Sequence, residues 1–111
     1  MSLDLCLVIS SDTFDEKYEE VVFDMNITHN LVSMLKEANL YDVLYAREGY
    51  TANDIRTVLY MGFTYMIYNP TKFKKLNPAN GWGDYDGLMT VLKNLLIACA
   101  EYPKAIIHIS K

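Results

Sequence analysis

The sequence predicts an α+β domain over residues 1–111: a three-stranded, mainly antiparallel sheet in the order ββαααβ, with helices packed on one face. Three observations point there. Two period-two runs near the start flank a polar, acidic loop, three later segments repeat apolar residues at helical spacing, and β-branched residues crowd at 105–109. A chain of 111 residues holds one core and no second.

Leu3, Leu5, Leu7 and Ile9 alternate with Asp4, Cys6, Val8 and Ser10, the period of a strand with one face buried. Ser10, Ser11, Asp12 and Thr13 are turn chemistry, because short polar side chains bond their own backbone. Val21, Phe23, Met25 and Ile27 then alternate again, and the two runs read as an antiparallel hairpin. Asn26 or Thr28 caps a helix whose Leu31, Met34, Leu35 and Ala38 form one stripe. A short helical turn follows at 41–45. Thr51 and Asp54 have capping-box spacing before Ile55, Val58 and Leu59. That helix must end near Asn69 and Pro70, because the residue before proline resists helical geometry. Its last two turns are apolar on every side, which suits a central helix or a subunit interface. Residues 71–85 read as irregular. Asp84 or Asp86 then caps a last helix with Leu88, Val91, Leu92, Leu95, Leu96 and Cys99 on one stripe, and the third strand follows Pro103.

Composition excludes several classes. A formal charge of −4 argues against general nucleic-acid binding, which needs a basic face. Residues 1–28 hold seven acidic side chains against Lys17 alone, so the remainder is mildly basic, with Lys72, Lys74 and Lys75 clustered. Such a local cationic spot suits a small phosphorylated ligand. Cys6 and Cys99 form no CxxC pair, and His29 and His108 complete no zinc spacing, so free thiols and no metal or cofactor are expected. The longest apolar run, residues 57–68, is well short of the ~20 a membrane span requires. The start lacks a basic n-region, so a cytoplasmic protein is expected. Nine tyrosines exceed what a small core absorbs and predict homo-oligomerisation or a partner surface.

No nucleophile elbow, phosphate-binding loop or zinc-helix motif occurs. His29 caps or packs its helix start, or serves as a general base with a distant carboxylate. Trp82, between Gly81 and Gly83, either plugs the core or stacks a flat ligand.

The runs Asn26-Ile-Thr-His-Asn-Leu31 and Asn77-Pro-Ala-Asn-Gly-Trp-Gly-Asp-Tyr85 resemble those of a family of small, mostly uncharacterised proteins encoded by phages and prophages. The likeness extends over nearly the whole chain, including Met34, Glu37-Ala38, Tyr41, Asn69-Pro70, Phe73 and Ala98-Cys99. Where that family carries a tryptophan and an Arg-Pro pair after the first helix, this chain reads Tyr45-Ala46-Arg47. The resemblance implies an accessory gene of a mobile element, of the kind that often modulates host processes, and brings no catalytic mechanism; a counter-defence role in the host cytoplasm is expected. Sequestration of a small nucleotide immune signal by a homo-oligomer fits best. On that reading Trp82 or Tyr85 stacks a base, Arg47, Arg56, Lys72 or Lys74 neutralises phosphate, and His29, Asn30 and Asn80 read polar edges. The alternatives are an anti-CRISPR-like inhibitor that presents Glu16, Glu19 and Glu20 as an acidic mimic, and a nucleotide-acting enzyme using His29.

Overall fold

Leu3, Leu5 and Leu7 bury one side of a central strand, and everything else is arranged about it. The structure is a computed structural model that describes residues 1–13 and 16–111, with only the backbone for 11–13 and 16–17. Strand β1 (Ser2–Thr13) pairs antiparallel with β2 (Glu16–Thr28) on one side and with β3 (Ile106–Ser110) on the other, giving the order β2-β1-β3. Met25, Ile27 and Ile107 join the three leucines on the buried face, while Asp4, Asp24, Asn26 and His108 stand on the outer one.

The hairpin is longer than its apolar alternation. Residues 10–13 continue β1 instead of turning, since Ser11 faces Tyr18, Asp12 faces Lys17 and Thr13 faces Glu16. Backbone pairing needs no buried side chains, so polar residues with turn chemistry extend a solvated ladder equally well. The connection itself lies outside the described residues. Leu7 faces Phe23 but Val8 faces Val21, leaving Val22 as the extra residue of a β-bulge. β3 covers only residues 4–8 of β1, so the hairpin projects beyond it and the molecule measures 53 Å along its longest axis.

Thr28 opens a 3-10 turn, His29–Leu31, by accepting the Asn30 N–H on its hydroxyl at 3.3 Å. Helix α1 (Val32–Glu37) follows and ends where Asn39 takes φ +62°, a left-handed stop that asparagine tolerates. α2 (Tyr41–Tyr45) is the expected short turn. α3 (Ala52–Tyr68) opens with the full capping box: Asp54 N–H to Thr51 Oγ1 at 3.3 Å and Thr51 N–H to Asp54 Oδ2 at 3.0 Å. A short helix, α4 (Pro70–Lys74), occupies part of the stretch expected to be irregular. Proline suits the first helical position, and a fully buried Phe73 anchors the turn where sequence periodicity is too short to register. Asp84 caps α5 (Tyr85–Glu101), accepting the Gly87 N–H at 2.7 Å; such a cap contributes about 1 kcal/mol. α3 and α5 pack side by side, and one hydrophobic cluster joins them to the α1–α2 corner and the sheet.

Candidate functional site

The two sequence motifs meet. Gly83 adopts φ +92°, and a Cβ there would stand 2.7 Å from Thr28 Cγ2 and 3.2 Å from Leu31, so the 77–85 loop closes on the 3-10 turn only with glycine at that point. Several polar groups of both motifs are bonded within the fold, each near its own motif or across the sheet. Asn26 Nδ2 donates to Asp4 Oδ1 at 2.7 Å and Ser2 Oγ at 2.9 Å. Asn30 Nδ2 donates to Thr28 Oγ1 at 3.0 Å, Asn77 Oδ1 accepts the Tyr85 N–H at 2.8 Å, and Asn80 Oδ1 accepts the Trp82 N–H at 2.9 Å.

Tyr85 cannot stack a ligand base, contrary to expectation. It is 7% exposed, and its hydroxyl donates to Met66 O at 2.7 Å; burial pushes that hydroxyl's pKa up. Trp82 is 71% exposed, which excludes the core plug. His29 packs its ring 5.6 Å from that of Tyr45, with Nε2 buried and bonded to nothing among the described residues. That placement suits packing and keeps Nε2 from solvent, so it does not suit a general base. The Tyr45 hydroxyl is likewise buried without a partner, and burial and then Tyr41 raise its pKa.

The predicted cations are scattered. Lys72 forms an ion pair with Glu37 at 2.7 Å and donates to the Tyr65 hydroxyl at 2.6 Å; those bonds hold its pKa above the ordinary lysine value. Lys74 lies over the Tyr85 ring at 5.7 Å, and Arg47 lies over the Tyr50 ring at 5.3 Å. Arg56 stands apart from these, on α3.

Arg56 opens onto a groove of about 670 Å³ between α3 and α5, within the size range of small-molecule sites. α3 contributes Asn53, Arg56, Thr57, Tyr60 and Met61; α5 contributes Lys93, Leu96, Ile97 and Ala100; Phe63 completes the lining. Phe63 and Leu96 are packed against the core and form the floor, while the Tyr60 ring is 63% exposed at the wall. Arg56 and Lys93 form no ion pair among the described residues. Burial pushes the Cys99 thiol beneath up to about 11, with the Arg56 charge pulling the other way. The groove thus combines two cations unpaired among the described residues, an exposed aromatic ring, an amide and a hydroxyl over an apolar floor. An anionic, flat ligand meets every element of that description.

A second cleft, about 470 Å³, lies on the outer face of the sheet and is lined by Asp4, Cys6, Asp24, Asn26 and His108. His108 Nδ1 is paired with Glu48 Oε2 at 3.0 Å. Burial and the carboxylates of Asp24 and Glu48 raise the Cys6 pKa, so the thiol is not an activated nucleophile. These carboxylates repel an anion, which sets this cleft aside for a phosphorylated ligand.

Sequence reading found Arg56 but missed Asn53, Tyr60 and Lys93. Asn53, Arg56 and Tyr60 recur at i, i+3 and i+7, and Lys93 and Ile97 at i and i+4, so each set shares a helix face. That two such faces adjoin is a tertiary fact. Fold and groove together define a small α+β protein with a ligand-sized, cation-flanked cleft. Comparison with family models, with curated proteins and with solved structures found no match, so function is read from these residues alone.

Proposed function

We propose that this protein binds and holds a small nucleotide in the α3–α5 groove without turning it over, as a counter-defence sponge. The observation that carries the reading is the pair Arg56 and Lys93, both without ion-pair partners among the described residues, flanking the exposed Tyr60 ring. Cations left unpaired beside an aromatic face, on a chain of net acidic charge, favour a phosphorylated aromatic ligand. The ligand site differs from the one expected around Trp82, with only Arg56 in common.

The same reading includes self-association. Val58, Met61, Tyr65 and Tyr68 recur along the exposed side of α3, and residues 57–68 contain no charged side chain. In a two-fold contact the patch meets its own copy, bringing apolar side chains together, with Lys72 beside Tyr65 already neutralised by Glu37.

Thermal shift against a panel of cyclic dinucleotides and cyclic ADP-ribose isomers tests the ligand. The expected result is a stabilised protein whose ligand returns with unchanged mass after heat denaturation; an altered mass means an enzyme instead. Light scattering at micromolar concentration is expected to give a multiple of the chain mass, reduced to the monomer by Tyr68→Glu. A monomeric unchanged chain removes self-association and leaves the ligand reading standing.

A further inference from the structure

The two outer edges of the sheet are finished differently. On the β3 side, Gly49 N–H donates to Ile107 O and Ile107 N–H donates to Tyr50 O, each at 2.8 Å. Glu48 Oε1 accepts the Ile109 N–H at 2.8 Å, and Thr51 pairs with Ile106. That edge is closed. β2, on the opposite side, bonds to β1 alone, and among the described residues no other segment sends a backbone hydrogen bond to residues 18–27.

An open strand edge is a template for another strand, and proteins usually guard it with charge or a bulge. Here the charged side chains described on β2 are Glu19, Glu20 and Asp24, all acidic. Two copies pairing edge to edge would bring these carboxylates together, which is destabilising. A strand bearing lysine or arginine reverses the sign of that interaction. The bulge at Val22 divides the edge, and residues 23–26 of the stretch 23–27 lie beside the part of β1 that β3 also supports. Asp24 is exposed on the outer face of β2 itself, one strand spacing from where cationic side chains of an added strand would lie.

We infer that the β2 edge along residues 23–27 is a docking site for an extended, lysine- or arginine-bearing segment of another protein, which adds to the sheet as a fourth strand. Backbone hydrogen bonds supply the affinity and the carboxylates select the sign of the partner. The acidic residues 1–28, net −6 from seven acidic and one basic side chain, steer such a partner to this side of the molecule.

The test uses the full chain and three synthetic peptides of about eight residues: alternating Lys-Thr, alternating Glu-Thr, and the Lys-Thr peptide N-methylated at every residue, which keeps the charge and side chains but has no backbone N–H donors. Fluorescence anisotropy is expected to show the Lys-Thr peptide binding at least about tenfold tighter than either control. Amide exchange is expected to slow at alternate positions within residues 23–27. Asp24 is exposed, so Asp24→Lys leaves folding intact and is expected to weaken binding by about tenfold or more. Equal binding of Lys-Thr and Glu-Thr overturns charge selection, and equal binding of Lys-Thr and its N-methylated form overturns strand addition. No binding, or protection confined to α3 and α5, overturns the site.

Discussion

The 77–85 loop and the α3–α5 groove hold similar side chains and use them in opposite ways. Each has an aromatic ring, an amide and a nearby cation. In the loop, Asn77 and Asn80 accept backbone N–H groups, the Tyr85 hydroxyl holds Met66 O, and Lys74 lies over the Tyr85 ring. In the groove, Arg56 and Lys93 have no ion-pair partner among the described residues, and Tyr60 faces solvent. Side chains whose bonding capacity the fold has already used hold structure; those left open are available to a ligand. An unusual motif is therefore a poor guide to a site until its hydrogen bonds are traced.

The contrast makes the two regions separable by mutation. The largest effect is expected from Gly83→Val, which forces a β-branched residue to φ +92° with its Cβ against Thr28. It is expected to cost roughly 2–4 kcal/mol of stability, read as a lowered denaturant midpoint with unchanged slope. Next comes Arg56→Glu with Lys93→Glu: ligand affinity is expected to fall at least about 100-fold, or ~2.7 kcal/mol, with stability nearly unchanged because neither side chain forms an ion pair among the described residues. Calorimetric titration and thermal melts on one sample check both halves. Tyr85→Phe removes one buried hydrogen bond and is expected to cost about 1 kcal/mol of stability without altering ligand affinity. Trp82→Ala is the smallest, within roughly 0.5 kcal/mol in stability, since the indole is exposed. If Trp82→Ala abolishes ligand binding while the groove charge reversal does not, the two regions exchange roles.

What the sequence disclosed follows the same division. Alternation at Leu3, Leu5 and Leu7, the Thr51–Asp54 capping box and the Leu88–Leu95 stripe are local patterns, and each became the expected element. α4 was hidden because one buried Phe73 among lysines makes no periodic signal. Tyr85 was misread because a tyrosine's partner decides its role, and that partner, Met66 O, lies 19 residues away. Lys93 gave no sign because a cation on a helix is ordinarily a solvated one; only its placement opposite Arg56 across the groove distinguishes it.

The central claim, that the α3–α5 groove holds a small nucleotide, is tested most directly by thermal denaturation of the unchanged chain and the Arg56→Glu/Lys93→Glu variant against the cyclic-nucleotide panel. At a hundredfold excess over Kd, one panel member is expected to add about 2.7 kcal/mol to the unchanged chain and almost nothing to the variant. A panel that stabilises neither protein, or both equally, contradicts it.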